Sequence, residues 1–366
     1  MLLKELIKAL EELAPPSYQE SYDNAGLICG NVNEDVKSVL CTLDCTEAVV
    51  EEAIQKGCNI IIAHHPIVFK ALKQLTGKNY IERTIIKAIK NDIVIYAIHT
   101  NLDNVIHGVN AKIGQVLGLS NLEILKPKKE ILKKLITFVP KTDVEPVRSA
   151  LFYAGAGNIG HYDHCSFNVS GHGTFRGGEQ ANPYKGKVGN DHIEEEIKIE
   201  VIFPAQIQGK VLSGLIKAHP YEEVAYDIIS LENQYEQVGS GMIGTFDKPQ
   251  QVNAFLQLVA TRLNCSVIRH TKKVADPIKK VAFCGGSGSF LLSDAIQQQA
   301  DVFITSDYKY HDFFDAEDRI MILDVGHFES EQFTPNLIKE YLEGKFSTFA
   351  VLLSEVQTNP VHYFIS

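Results

Sequence analysis

The strongest chemical signal in the sequence is a pair of adjacent histidines, His64 and His65, which follow the apolar run CNIIIA and precede Pro66. The proline favours extended backbone at His65, and neighbouring extended residues point in opposite directions. The two imidazoles could therefore bind two metal ions, or one ion if the loop turns. Imidazole is the commonest zinc ligand and also suits iron and nickel. By itself, a His-His pair is more often part of a solvated loop.

A second pair of potential ligands, His327 and Glu331, follows the apolar run IMILDV. The two residues are spaced i, i+4, so on a helix both side chains lie on one face. Histidine and carboxylate pairs on helices also hold dinuclear metal sites. The alternative is an ordinary exposed first turn of a helix, where a glutamate suits the helix dipole.

The segment HTNLD (99–103) is the third signal, and it also follows an apolar run. Asp103 is a candidate carboxylate ligand, although the segment would equally suit a hydrogen-bonded turn or helix cap. His99 is a candidate general acid or base, or else a residue that orients a ligand. Other predicted strands end in candidate partners for the ligands, namely Asp44, Asp307 and Asp324.

Alternating strands and helices would position these three segments. Apolar runs that predict buried strands lie at 36–44, 58–63, 92–98, 281–286, 301–307 and 320–326. With helices between them, they predict parallel strands covered on both faces, arranged in two related α/β halves. Ligands bind such sheets at the carboxyl ends of the strands, and all three segments fall there.

Two features of the C-terminal third refine this prediction. One helix is expected from about His327 to Leu342, with Pro335 near its first turns. The run CGGSGSF (284–290) joins a strand to a helix expected at 288–299. Such a turn can present backbone N–H groups to a phosphate. It lacks the ending of a P-loop, and a tight strand-to-helix turn explains it equally well.

Residues 130–235 have a different pattern and are predicted to form a domain inserted into a core of residues 1–129 and 236–366. The expected order is a strand at 133–140, a helix at 142–153, a short strand in a glycine-rich stretch, a strand at 197–204, a helix at 206–218 and a strand at 224–231. This is the split βαβ order, which predicts an α+β ferredoxin-like domain. Thr142 is a candidate cap for the first helix, with Glu145 three residues later.

Taken together, the three segments offer three candidate histidine ligands and two candidate carboxylate ligands at one predicted edge of an α/β sheet. This set suits two ions with open positions for water, because paired metals about 3.5–4 Å apart can share a hydroxide and stabilise a developing anion. A structural zinc site is disfavoured, since such sites are closed and usually rich in sulfur.

The composition of the 366-residue chain is typical of a soluble globular protein, with 45% hydrophobic and 22% charged residues. The net charge of −10 argues against bulk nucleic-acid binding. We expect no membrane partner, because no apolar run reaches about 18 residues. Glu5, Glu11 and Glu12 do not fit an export signal, and the seven cysteines lack a C-x-x-C pair. We therefore expect a cytoplasmic protein with free thiols.

Five motifs in order resemble the GTP cyclohydrolase 1 type 2 homologue family, also called the NIF-three-like dinuclear metal-centre proteins. They are DNAGLICGN (23–31), AHHP (63–66), HTNLD (99–103), TSDYKYHD (305–312) and DVGHFESE (324–331). GHYDHCSF (160–167) and AHPYEEVAYD (218–227) resemble the PII-like or CutA-like insert of the long bacterial members. One departure is Gln180, where the GGEGANP-type motif of the family has glycine.

The resemblance implies a three-layer α/β/α core and a toroidal homohexamer whose metal sites face an internal cavity. It also implies two divalent metal ions per subunit, with zinc as the expected ion and iron, manganese or cobalt as alternatives. The implied metal ligands, with Glu331 as the bridge, are His64, His65, Asp103, His327 and Glu331.

Two functions remain open from the sequence. The first is a metal-dependent hydrolase acting on a small molecule, for which the family name implies water attack at C8 of the GTP imidazole ring. Glu331 and His99 are its candidate catalytic residues. The alternative is a non-enzymatic protein for metal handling or regulation, or a scaffold that metal ions merely stabilise. No feature of the sequence identifies a substrate pocket.

Overall fold

The computed structural model describes residues 1–364, which form two compact units. The first unit comprises Met1–Pro127 and the chain from Glu236 onward, and the second comprises Lys128–Tyr235. The helices of the described chain are α1 (Leu3–Leu13), α2 (Glu47–Gln55), α3 (Tyr80–Lys90), α4 (Thr100–Asp103), α5 (Val109–Leu117), α6 (Val144–Tyr153), α7 (Gln208–Ala218), α8 (Val252–Arg262), α9 (Leu292–Gln297), α10 (His327–Glu331) and α11 (Thr334–Lys345). Across residues 1–364, every helix is too short or too polar to cross a bilayer.

Strands make up three sheets in this mixed α/β protein. Their bounds are β1 (Gly26–Cys29), β2 (Ser38–Asp44), β3 (Ile60–His65), β4 (Val94–Ala97), β5 (Ser120–Lys128), β6 (Leu132–Pro140), β7 (Phe167–Arg176), β8 (Asp191–Pro204), β9 (Tyr226–Ser230), β10 (Tyr235–Gln250), β11 (Arg269–His270), β12 (Ile278–Ser287), β13 (Val302–Ser306), β14 (Met321–Asp324) and β15 (Ala350–Leu353).

The first sheet of the first unit has the order β1-β4-β3-β2-β15. Strands β15, β2, β3 and β4 run parallel, whereas β1 lies antiparallel to β4 at the edge. Ile60, Ile61 and Ile62 of β3 are all fully buried, so both faces of this strand are covered. A continuous apolar run is the expected sequence of such a strand.

The second sheet of the same unit has the order β11-β14-β13-β12-β10-β5. Strands β12, β13 and β14 are parallel, as the apolar runs predict. The prediction of wholly parallel sheets is wrong, because β10 and β11, on either side of the three parallel strands, are antiparallel to β12 and β14. The sequence does not predict these two strands, because β11 has only two residues and β10 mixes glycines and charged residues with its apolar residues.

The single helix expected from His327 to Leu342 is two helices, α10 and α11, and Pro335 lies in the first turn of α11. A proline has no N–H to donate, and its ring clashes with the carbonyl four residues earlier. Here that carbonyl belongs to Glu331, so α10 ends at Glu331 and the chain begins a new helix at Thr334.

The second unit is a four-stranded antiparallel sheet of order β7-β8-β6-β9, with α6 and α7 packed on one face. Its core contains Leu135, Val139, Val147, Leu151, Ile199, Val201, Phe203, Val211 and Leu215. The strand expected in the glycine-rich stretch exists as β7, and its ten residues make it longer than predicted.

The predicted Thr142 cap is wrong. A 3-10 turn over Lys141–Asp143 moves the start of α6 to Val144, and the Thr142 hydroxyl donates to Asp143 (2.7 Å) instead of to the helix backbone.

We predict that Leu215→Ala destabilises the second unit by about 2–5 kcal/mol, because it leaves a cavity between α7 and the sheet. The neighbouring Ile216 is 55% exposed, so Ile216→Ala should change stability by no more than about 0.5 kcal/mol. Hydrogen-exchange mass spectrometry of the full chain would measure the protection of peptides from α7 and β8. Equal protection in the two variants would contradict this description of the core.

Candidate metal centre

The candidate centre is formed where elements of both sheets of the first unit end. His64 and His65 are the last residues of β3, and Asp103 is the last residue of α4, which follows β4. His327 and Glu331 begin and end α10, which follows β14. The carboxyl ends of parallel strands therefore deliver all five side chains, as expected for α/β sheets.

His64 is fully buried, and its hydrogen bonding determines which ring nitrogen faces the centre. Its Nδ1–H donates to the Ile98 carbonyl (2.8 Å), which leaves Nε2 unprotonated. Burial lowers the pKa of His64 to about 4, so the ring is neutral at pH 7. The Nε2 lone pair lies 3.6 Å from Asp103 Oδ1 and 3.9 Å from Glu331 Oε1.

Within residues 1–364, two polar atoms of this group are buried without a hydrogen-bond partner, namely His64 Nε2 and Asp103 Oδ1. Burial, and then the neighbouring Glu331, raise the pKa of Asp103 well above its usual range. Orphaned polar atoms of this kind are costly. A cation bound between them would satisfy both atoms, so the donors on this side of the centre fit a metal ion.

The other side of the centre is formed by His65, His327 and the second oxygen of Glu331. Glu331 Oε2 lies 3.0 Å from His65 Nε2 and 3.1 Å from His327 Nε2. Burial would raise the pKa of Glu331, but hydrogen bonds from His327 and His65 outweigh it and hold that pKa well below its usual range. Glu331 is therefore an ionised carboxylate at the middle of the cluster.

Carboxylates outside the cluster hold the His65 and His327 rings. His65 Nδ1–H donates to Asp44 (2.8 Å) and His327 Nδ1–H to Asp307 (2.7 Å). Burial lowers the pKa of each ring, but the hydrogen bonds to these carboxylates and Glu331 raise it, to about 10 for His65 and about 11 for His327. Carboxylates on the far nitrogen typically orient metal-binding histidines.

His99 faces the same centre from the loop after β4. Its ring centroid lies 5.3 Å from that of His64 and 5.4 Å from that of His65. His99 Nδ1–H donates to Asp23 (2.7 Å), which also accepts from the Thr100 hydroxyl and N–H. Burial would raise the pKa of Asp23, but these hydrogen bonds lower it to about 2. Because the ionised Asp23 binds Nδ1–H, the ring of His99 presents its other nitrogen, Nε2, to the cluster.

The ligand atoms fall into two groups that share one residue. His64, Asp103 and Glu331 form one group, and His65, His327 and Glu331 form the other, with the donor atoms of each group within 4.8 Å of one another. A third group contains His64, His65 and His99. Because Glu331 contributes Oε1 to one side and Oε2 to the other, its carboxylate is placed to bridge two ions.

A cavity of about 790 Å³ adjoins the cluster. His65, His99 and His327 reach it from the centre, and its other walls include Phe69, Tyr80, Arg269, Phe328 and Tyr363. The C-terminal segment closes one side, where the Thr358 hydroxyl donates to Asp44 (2.8 Å). A small molecule in this cavity would therefore contact the histidines directly.

Comparison with known proteins agrees with the motifs. The profile of the family described as Duf34/NIF3 (NGG1p interacting factor 3) matches residues 1–360. The chain belongs to the Duf34/NIF3 family. One relative, named GTP cyclohydrolase 1 type 2 homolog, from Halalkalibacterium halodurans, is 40% identical over 362 residues, with 97% of each chain covered. A protein of the same name from Bacillus subtilis is 36% identical over 366 residues, covering 98% of this chain and 97% of the relative.

Solved structures support the same assignment. A Bacillus cereus protein related to NIF3 superposes with a TM-score of 0.86 at 39% identity, covering 100% of this chain and 99% of that one. A Staphylococcus aureus protein superposes with a TM-score of 0.79 at 32% identity and the same coverage. The family resemblance inferred from the five motifs is thus confirmed.

In this NIF3-family chain, all six predicted site residues lie in one cluster: His64, His65, His99, Asp103, His327 and Glu331. Of the predicted partners, Asp44 and Asp307 accept hydrogen bonds from His65 and His327, which are two of the candidate metal ligands. Asp324 instead accepts from the Tyr308 and Gly326 N–H groups and pairs with Arg269.

Asp23 and Thr358 were missed as partners, because no local pattern links them to His99 and Asp44. The position of Asp23 in the DNAGLICGN motif could have marked it as a site residue. Its partner could not be predicted, because Asp23 is 76 residues from His99.

The glycine-rich turn at 284–290 supports the centre, and its N–H groups are used inside the protein. Gly285 N–H donates to Asn110 (3.0 Å) and Gly286 N–H to the Ser330 hydroxyl (3.0 Å). The Gly286 carbonyl accepts from the hydroxyls of Thr305 and Ser306. These contacts favour the tight turn over the phosphate-binding alternative.

Gly286→Ala tests how tightly the turn packs against Glu331. The residue has φ +61°, and a Cβ there would lie 2.4 Å from Glu331 Oε1. We expect the variant to displace that carboxylate and to reduce the metal content of the purified protein. Gly57→Ala is the control, since φ is +69° and no atom lies within 4 Å of its Cβ. Both variants carry a backbone cost of about 1–2 kcal/mol, so equal metal contents would contradict the packing described.

Proposed function

We propose that this protein is a metal-dependent hydrolase with a dinuclear centre. His64, Asp103 and Glu331 would hold one divalent ion, and His65, His327 and Glu331 would hold the other. The observation that carries the proposal is the position of Glu331, whose two carboxylate oxygens face the two ligand groups. Nitrogen and oxygen ligands suit zinc, with iron, manganese or cobalt as alternatives.

The residues of the centre are arranged for catalysis in an open site. Bound ions would supply a water activated near neutral pH and positive charge for a developing anion. His64 presents a lone pair without needing to lose a proton. Asp44 and Asp307 fix the other two rings by their Nδ1–H groups, so that each Nε2 faces Glu331.

His99 is the proposed proton carrier of the reaction. Asp23 holds its Nδ1–H, which leaves Nε2 to accept or donate a proton at the cavity. This pairing also fixes the orientation of the ring, as in other histidine–carboxylate pairs. A group so placed can accept the proton of the attacking water and return it to the leaving group.

The proposed substrate is a small molecule with an electrophilic carbon or phosphorus, with a nucleotide as the first class to test. The name of the relatives, GTP cyclohydrolase 1 type 2 homolog, supports this choice. The cavity of about 790 Å³ is large enough for a ligand of that size, and its walls include aromatic rings and Arg269.

A non-enzymatic role in metal handling is the second candidate. The observation that favours it is the exposure of the ring of His327, which is 41% accessible to solvent. An exposed ligand permits ions to exchange, whereas a catalytic centre should retain them through dialysis. Loss of both ions during dialysis, with no turnover of any nucleotide, would support this second function.

The assembly and location remain proposals that rest on the family resemblance and the sequence. We propose a toroidal homohexamer in the cytoplasm, with the second unit as a ferredoxin-like, PII- or CutA-like insert. The strand order β7-β8-β6-β9, with one helix after β6 and one after β8, supports the proposed insert.

Elemental analysis tests the dinuclear centre. We expect about two equivalents of a transition metal in the native protein, and loss of both in Glu331→Gln, because that change weakens the ligand shared by the two groups. Glu329→Gln is the matched control, since Glu329 is equally buried on the same helix but contacts Asn359. Two equivalents retained in Glu331→Gln would rule out a bridging role.

Variants of His99 separate catalysis from metal binding. We expect His99→Gln to lower turnover of GTP by about 10²–10⁴-fold while the metal content stays unchanged, because the ring carries protons and is outside both proposed ligand groups. His107→Gln, at an exposed histidine, should leave turnover unchanged. Loss of metal in His99→Gln would make His99 a ligand, and unchanged turnover would remove it from the reaction.

A further inference from the structure

We propose that the second unit contains a binding site for an organic ammonium ion. The site is a cavity of about 670 Å³ formed only by residues of this unit. It lies on the face of the sheet opposite α6 and α7, where the glycine-rich segment and the loop before β9 cover the end of the strands. It goes beyond the proposed function, because none of the candidate metal ligands contributes to it.

Strand alternation places one carboxylate on the floor of this cavity. On β8, Ile197, Ile199 and Val201 pack toward the helices, so Glu196 and Lys198 lie on the opposite face. In register with them are Gly171 on β7 and Phe138 on β6. The floor thus combines a carboxylate with an aromatic ring and with glycine backbone.

Glu196 is only 8% exposed, although nothing in the core of the unit requires a charge there. Its Oε1 accepts from the Tyr221 hydroxyl (2.7 Å). Its Oε2 makes no hydrogen bond with any residue in the part of the chain that the structure describes. This oxygen occupies space next to the Gly173 backbone that a side chain at that position would fill. A Cβ on Gly173 would be 2.1 Å from that oxygen. Because Glu196 lines the cavity, its second oxygen can accept a charged hydrogen bond from a ligand there, and such bonds are stronger than neutral ones.

The charges around the cavity favour a cation. Arg176 and Lys198 line it, but both are held by other carboxylates. Arg176 makes a bidentate pair with Asp191 (2.8 and 2.6 Å), and Lys198 Nζ lies 2.5 Å from Glu200. Glu196 is thereby left without a cation, and an anionic ligand would meet a buried negative charge.

Aromatic rings line the same cavity. The ring centroids of Phe175 and Tyr184 lie 6.1 and 6.3 Å from that of Tyr221, which contacts Glu196, and Phe138 lies on the floor. Cations bind to the faces of such rings, and cages of aromatic rings recognise ammonium groups. Glu222 and Glu223 also line the cavity but are exposed, so Glu196 is the one buried carboxylate of this lining, which does not match the oxygen-rich shell that a calcium or magnesium ion needs. The ligand class is therefore a primary or secondary ammonium group on an apolar or aromatic body.

Three matched ligands test the proposal on the full chain, with isothermal titration calorimetry as the measurement. The probes are 2-phenylethylamine, the neutral 2-phenylethanol and the anionic 3-phenylpropionate. We expect the amine to bind with a Kd of about 1 mM or lower, and at least about tenfold more tightly than the alcohol or the acid, because only the amine donates a charged hydrogen bond.

Glu196→Gln keeps the size of the side chain and removes its charge, and it should weaken amine binding by about tenfold or more. Glu195→Gln changes the adjacent, exposed carboxylate and should leave amine binding unchanged. Hydrogen exchange over β8 would verify that both variants stay folded. The proposal is overturned if the amine does not bind, if the alcohol binds as tightly, or if folded Glu196→Gln binds the amine as the native protein does.

Discussion

Glu331 is a carboxylate that is 3% exposed, and the imidazoles of His65 and His327 donate hydrogen bonds to it in place of water. Ionising such a group inside a protein is possible only when its partners are fixed at the correct distance. The partners come from β3 in one sheet and from α10 after the other, so the packing of the two sheets and the charge of one side chain depend on each other. The candidate centre is the point where this dependence is greatest.

The backbone around Glu331 meets this constraint through two residues that have no metal-binding chemistry of their own. Pro335 prevents α10 from continuing, so Glu331 is the final residue of a short helix. Gly286 leaves the space that the carboxylate oxygen occupies, and it adopts φ +61° to do so. Both residues act by shape, and a search for ligand-type side chains would pass over them.

The second unit uses its sheet differently. One face packs against two helices and forms an apolar core, which follows from the alternation along β8. The other face carries Glu196 among aromatic rings, where a buried charge does not help the sheet to fold. Polar groups kept in such positions commonly serve recognition, because a specific ligand can satisfy them.

Features that depend only on residues close together in the chain could be predicted from the sequence. Continuous apolar runs identified the buried strands β2, β3 and β12 to β14, and ligand-type residues directly after strands identified the candidate centre. Contacts between distant segments are visible only in the folded chain. Thr358 contacts Asp44 across 314 residues, Asp23 contacts His99 across 76, and the antiparallel strands β1 and β10 pair with partners that no local period reveals. Such contacts depend on how the whole chain packs, because a hydrogen bond between remote side chains leaves no periodic pattern in the sequence.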